Sequence, residues 1–102
     1  MESLESLNKD EQSLLIFFES CMVDYGGLID SRRMNQEDFK IAQEWDAESH
    51  IEFGRVAFHD IKGNNTHYVI LGPGFAEKAQ ELRMERFARM FEKRTWIKAS
   101  EQ

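Results

Sequence analysis

Residues 51–71 read IEFGRVAFHDIKGNNTHYVIL, and how this stretch folds decides how the rest of the chain is read. Two apolar-rich runs, residues 51–61 and 68–71, flank the polar tetrapeptide Lys62-Gly63-Asn64-Asn65. Gly and Asn accept the positive φ that a tight hairpin turn requires, so the stretch predicts a β-hairpin that reverses at this tip. On the ascending arm, apolar side chains fall at Ile51 and Phe53 and then at Val56 and Phe58. The alternation changes phase across Gly54, and a bulge at Gly54 would account for the change. No other part of the chain looks like a strand pair. The expected class is therefore α+β, mainly helical, with one β-hairpin.

Downstream, Gly72-Pro73-Gly74 breaks the chain, and a long final helix is expected from about Gly74 or Phe75 to Thr95 or beyond. Its first half would bury Phe75, Ala79 and Leu82. A second stripe, Met84, Phe87, Ala88 and Phe91, lies well round the helix from the first. A helix with two apolar faces needs two partners. One is its own core; the other is a second subunit or the N-terminal arm, through Leu4 and Leu7.

Upstream of the hairpin, Asn35 caps a helix with Glu37 and Asp38 in its first turn, where the helix dipole favours negative charge. Phe39, Ile41, Ala42 and Trp45, with Met34 just ahead, form its apolar side. Gln36, Glu37, Lys40, Gln43, Glu44 and Ala47 face outward, and the helix should end near Ser49-His50. Before it come a short extended piece at Leu28-Ile29 and a turn over residues 30–34. The first helix starts at Asn8, with Glu11 completing a capping box, and Gly26-Gly27 ends it. Leu14, Phe17, Phe18, Cys21, Met22 and Tyr25 recur at helical spacing along its buried face. Ile16 and Val23 lie on the other side and also need a contact. These boundaries give a loose arm over residues 1–7, a single domain over 8–98 and a tail over 99–102.

Composition narrows the function classes. With 41% apolar and 31% charged residues in a chain of 102, this is one globular domain rather than a disordered segment. The single Cys21 cannot form an intramolecular disulfide. The start, MESLESLNKDE, is acidic and has no apolar run, unlike a signal peptide, and no apolar run is long enough to span a membrane. The expectation is a cytoplasmic protein. The net charge of −6 is uneven: residues 1–30 carry −6, residues 31–60 carry −3, and residues 61–102 carry +3. Nucleic acid would be drawn to the last part and repelled by the first.

The order helix, short strand, helical turn, helix, hairpin, long helix resembles a winged helix-turn-helix domain, with the hairpin as its wing. Within that superfamily the chain is similar to small winged-helix proteins encoded by bacteriophages and prophages. The residues carrying the likeness run from Gly26-Gly27 through Glu37-Asp38-Phe39 to Trp45. Phe53-Gly54-Arg55, Gly63 through Val69, and Arg83 with Arg86 complete them, and the likeness covers roughly residues 8–95. It implies a regulatory protein that binds double-stranded DNA as a dimer, with residues 36–48 in the recognition-helix position. Gln36, Lys40 and Gln43 would then face the groove, and Arg32, Arg33, Arg55 and Lys62, with Asn64 and Asn65, would position phosphates. Glu37, Glu44 and Glu48 work against this. The competing expectation keeps the fold but makes the chain a protein-binding adaptor, a phage product acting on a host protein.

The dimer would form through Met84, Phe87, Ala88 and Phe91, aided by the basic cluster Arg86, Arg89, Lys93, Arg94 and Lys98. Glu77, Glu81 and Glu85 stand three and four residues from Arg83, Arg86 and Arg89, so pairs within the helix would absorb much of the charge there. Other chemistry is thin. His59 and His67 lie on opposite arms of the hairpin, where regular pairing across a two- or four-residue loop puts them on opposite faces, unable to share a metal ion. His67 would sit across from Asp60, and His50 at a helix end. Cys21 packs as a small hydrophobe. Gly72-Pro73-Gly74 lacks the N–H and the following Lys-Ser/Thr of a phosphate loop. No enzyme, metal or cofactor is expected.

Overall fold

The computed structural model describes residues 6–100, and the side chains of residues 6–92. Three helices and a three-stranded antiparallel sheet form one α+β unit. Helix α1 spans Lys9–Tyr25, strand β1 Leu28–Asp30, and a single 3-10 turn Ser31–Arg33. Helix α2 spans Gln36–Ala47, strands β2 and β3 span Ile51–Arg55 and Asn65–Leu71, and helix α3 spans Pro73–Ser100. Among the described residues, no helix is long and apolar enough to cross a membrane.

Local chemistry sets the boundaries. Asn8 and Glu11 close a reciprocal capping box at the start of α1, with bonds of 2.8 and 3.0 Å. Asn35 does the same for α2 with Asp38, so the carboxylate three residues into the helix, not Glu37, completes the box. Pro73 opens α3, where its missing N–H costs nothing. Gly26 ends α1 in the left-handed conformation at φ 62°. Gly27 follows at φ 92°, and its carbonyl accepts the Val69 N–H at 2.8 Å. A β-carbon on Gly27 would stand 2.6 Å from the Val69 carbonyl oxygen, so this approach of the helix end to the sheet requires glycine.

The sheet has the order β1-β3-β2. The hairpin expected over residues 51–71 is present, but Leu28–Asp30 adds a third strand to it, pairing with β3. The bulge expected at Gly54 is absent. Register runs unbroken from Ile51↔Leu71 to Arg55↔His67, and Gly54 lies opposite Tyr68, whose ring covers the space where a Gly54 β-carbon would go. The change of phase has another cause: the strand ends. After Val56 donates to the Thr66 carbonyl at 2.9 Å, residues 57–61 leave the ladder, with Phe58–Asp60 in a 3-10 turn, and pairing resumes only at Lys62↔Asn65. Gly63, at φ 62°, makes the reversal. The irregularity in the sheet instead falls between β1 and β3, where the register shifts between Ile29 and Asp30. There Thr66 donates to Ser31 Oγ at 2.8 Å.

One core joins all these elements. Leu14, Leu15, Phe18 and Cys21 from α1 meet Ile29, Val69 and Leu71 from the sheet, Ile41, Ala42 and Trp45 from α2, and Phe75, Ala79 and Leu82 from α3. Leu15 was not read as buried from the sequence, whereas Tyr25, expected on the inner face of α1, is exposed, as is Val23. Leu7, expected in the loose arm, packs in this core, and its carbonyl accepts a bond from Gln12 Nε2 at 2.9 Å. Leu4 lies outside the described residues. On β2, the outermost strand beside α2, the Phe53 N–H turned away from β3 is taken up by the Asp46 carboxylate at 3.2 Å.

Two substitutions test this account in urea unfolding. Phe18→Ala, at a fully buried position, should cost about 3–5 kcal/mol. Gly27→Ala should cost about 1–3 kcal/mol through its positive φ, with the clash at Val69 adding to that, and more than Gly63→Ala, where a β-carbon meets nothing within 4 Å.

Candidate macromolecular interface

One outer face is built from α2, the β2–β3 connection and the turn before α2. Helix α2 is amphipathic: Ile41, Ala42 and Trp45 are buried, while Gln36, Glu37, Lys40, Gln43, Glu44 and Ala47 are all exposed, as the sequence predicts. At about 100° per residue, Gln36, Lys40, Gln43 and Ala47 form the centre of the outer surface. Glu37 and Glu44 run in a lane beside them, with exposed Glu48 at the helix end. Lys40 is the only base on this helix.

The four expected phosphate holders are not equivalent. Arg32 is bound to Asp30, with NH2 2.9 Å from Oδ2 and Nε 3.1 Å from Oδ1. The bonds from the Arg32 side chain and backbone hold the Asp30 carboxyl below its ordinary range, and the same pairing raises Arg32. Arg33 lies with its guanidinium 4.8 Å from the centre of the Phe17 ring. It lines a cleft of about 370 Å³ between α1 and the start of α2, whose other polar walls include Asp10, Glu37 and Asp38. Arg55 and Lys62 are exposed and form no ion pair among the described residues. Asn64 is exposed at the turn, whereas Asn65 is half-buried and lines a smaller cleft of about 240 Å³ with Asp30 and Arg33. The sequence offers pairing of Arg32 with a nearby acid as the alternative to a phosphate contact, and the 3-10 turn, where Asp30 is also the cap, supplies the geometry for it.

Phe58, which the apolar alternation puts on the strand, lies instead in the 3-10 turn beyond it. The excursion of residues 57–61 holds Phe58 at 91% exposure, and the turn is tied by Asp60 N–H to Ala57 O at 2.8 Å and Ile61 N–H to Phe58 O at 3.3 Å. The available signal was Ala57-Phe58-His59-Asp60, a run whose polar pair interrupts any strand alternation.

No group of three or more ligand-type side chains comes together among the described residues. His59 lies in the excursion with Nε2 3.6 Å from Asp60 Oδ2, so Asp60 is the neighbour of His59 rather than of His67. His67 faces Arg55 across the ladder, stacks on Phe53 at 5.7 Å and meets the edge of Phe39 at 5.2 Å. Burial among these rings pushes its pKa down, and the nearby Arg55 charge adds to the effect. His50, at the end of α2, stacks on Phe75 at 4.7 Å. Burial raises the Cys21 thiol against the opposing pull of Arg33, and the Asp24 charge adds to the rise, which favours the protonated form.

On α3 the expected pairs within the helix are replaced by bonds to α1. Arg83 forms an ion pair with Glu19 and donates to Ser20 Oγ at 2.9 Å, and Arg86 donates to Ser13 Oγ at 3.3 Å. Lys93, Arg94 and Lys98 lie outside the described side chains. Met84, Phe87 and Phe91 are 64%, 62% and 68% exposed, and Ala88 is also exposed, so Leu7 does not cover this stripe.

Comparison with known proteins returned no matching family model, no matching curated protein and no matching solved structure.

The environment of His67 gives a prediction about pH. A histidine whose folded pKa lies below its unfolded value binds fewer protons when folded, so stability is complete above about 6.5 and falls as pH drops below that. Urea midpoints measured from pH 8 to pH 5 should decline below about pH 6.5, and His67→Phe should flatten that decline.

Proposed function

We propose that this chain is a small winged-helix module that holds a protein partner on the outer face of α2 and the hairpin connection. The order α1-β1-turn-α2-β2-β3-α3, with the sheet order β1-β3-β2, is consistent with a winged helix. In this arrangement the 3-10 turn Ser31–Arg33 takes the place of the first helix of the helix-turn-helix. The observation that carries the choice of partner is charge. Glu37, Glu44 and Glu48 stand exposed beside the single Lys40, while Arg32 is tied to Asp30 and Arg33 lies in a cleft lined by three carboxylates. Such a face repels a phosphate backbone. It suits a protein surface carrying bases, with Phe58 as an aromatic anchor held ready by its turn. The resemblance to phage proteins implies a host protein as the class of partner.

One observation favours DNA as a second reading. Gln36, Lys40 and Gln43 share the outermost row of α2, and Arg55 and Lys62 remain uncommitted in ion pairs among the described residues. Fluorescence anisotropy with a labelled random-sequence duplex at low salt separates the two. The proposal expects no binding by the wild type, and a gain of salt-sensitive binding in the double variant Glu37→Lys/Glu44→Lys. Wild-type binding that weakens steeply with salt and with Lys40→Ala or Lys62→Ala would overturn it in favour of DNA. A photo-reactive residue at Gln43 should capture a single protein in producing cells. Phe58→Ala should abolish that capture without lowering the melting temperature.

A further inference from the structure

Three rings meet on the inner face of the hairpin. His67 of β3 stacks on Phe53 of β2 at 5.7 Å and meets Phe39 of α2 edge-on at 5.2 Å, while Phe39 and Phe53 lie 5.9 Å apart. The imidazole is also hydrogen-bonded. Its Nδ1 lies 2.9 Å from Thr66 Oγ1, which donates to Ser31 Oγ of the 3-10 turn at 2.8 Å. A hydroxyl carries one proton, and Thr66 gives its own to Ser31, so the bond to the ring must run from Nδ1–H to Thr66. An added proton therefore goes to Nε2, which has no hydrogen-bond or ion-pair partner among the described residues.

The elements around His67 are ill suited to a second proton. Arg55 of β2 stands opposite it in the ladder, and its charge opposes protonation. From α2 comes Phe39, and the neighbouring Asp38 carboxylate is taken by the Asn35 N–H. From β1 comes Ile29, with Asp30 beyond it bonded to Arg32, and Arg33 lies over Phe17. The ring faces attract a cation only weakly. An imidazolium in this slot thus meets a like charge and no counter-charge.

We propose that His67 is a proton-operated latch: neutral, it ties the start of β3 to α2 and to the 3-10 turn; protonated, it leaves the ring cluster and frees the hairpin connection. Little else holds that connection. The next rung is the Val56 N–H on the Thr66 carbonyl at 2.9 Å, and beyond it residues 57–61 are outside the ladder until Lys62↔Asn65. Opening here breaks few contacts, so it is separable from unfolding of the core. Phe58, carried on the same excursion, loses its fixed position when the latch opens.

The latch belongs to the hairpin itself and does not depend on which macromolecule α2 holds. NMR on the full chain from pH 7.5 to pH 5 tests it. As His67 titrates, its ring should lose its nuclear Overhauser contacts with Phe39 and Phe53. Over the same range the exchange protection of the Val56 and Asn65 amides should fall, by up to about tenfold for each pH unit below about 6.5, while the amide of Phe18 stays protected. His67→Phe should hold Val56 protected at every pH. Arg55→Gln, which removes the opposing charge, should raise the pH at which His67 titrates and shrink the loss of protection. A protonated His67 that keeps its contacts with both rings would overturn the inference. So would a loss of Val56 protection that persists in His67→Phe, or one that Phe18 shares in full.

Discussion

Phe18 is the side chain through which every layer of this protein is connected. It is fully buried, its ring 5.9 Å from Phe53 of β2 and 6.4 Å from Trp45 of α2. Trp45 in turn meets Phe75 of α3 edge-on at 4.9 Å, and His50 stacks on Phe75. One unbroken run of rings thus passes from the sheet through α1 and α2 to α3. Edge-to-face pairs add about 0.5–1.5 kcal/mol each beyond the area they bury. The more important effect is on orientation: the rotation of α2 about its axis, and hence which of its residues face outward, is fixed by where Trp45 and Ile41 must go.

That dependence explains why so much of the architecture could be read from the chain. The caps at Asn8 and Asn35, the stop at Gly26-Gly27 and the inward residues of α2 are local consequences of side-chain chemistry, and local chemistry is visible in a sequence. The turn at Gly63 belongs to the same class. What escaped was non-local. The pairing of Leu28–Asp30 with β3 requires the end of α1 to approach Val69, a contact between positions far apart in sequence. The alternation of the ascending arm was legible, but its interruption was assigned to Gly54. The strand in fact ends, and residues 57–61 leave it.

The candidate interface was legible in its membership and less so in its charge. Gln36, Lys40, Gln43, Arg55 and Lys62 are exposed as expected. Arg32 and Arg33 are also exposed, yet one is bonded to Asp30 and the other is drawn over Phe17 into a cleft with three acids. The sequence leaves open whether they meet phosphate or a nearby acid; their neighbours in space decide for the acid at Arg32 and for the acidic cleft at Arg33. The same holds for Arg83 and Arg86, whose partners lie on α1 rather than one turn away on their own helix.

The Asp46 carboxylate on the Phe53 N–H has a consequence for how anything can be recognised here. An open strand edge invites another chain to extend the sheet, a mode that reads backbone and tolerates many sequences. With a side chain of α2 already occupying that edge at mid-strand, β2 is a poor template for an incoming strand, whether from a partner or from a misfolded copy. Recognition along β2 is thereby confined to side chains. That makes it selective by composition, and it guards this edge of the sheet against growing into fibres along its hydrogen-bonding direction.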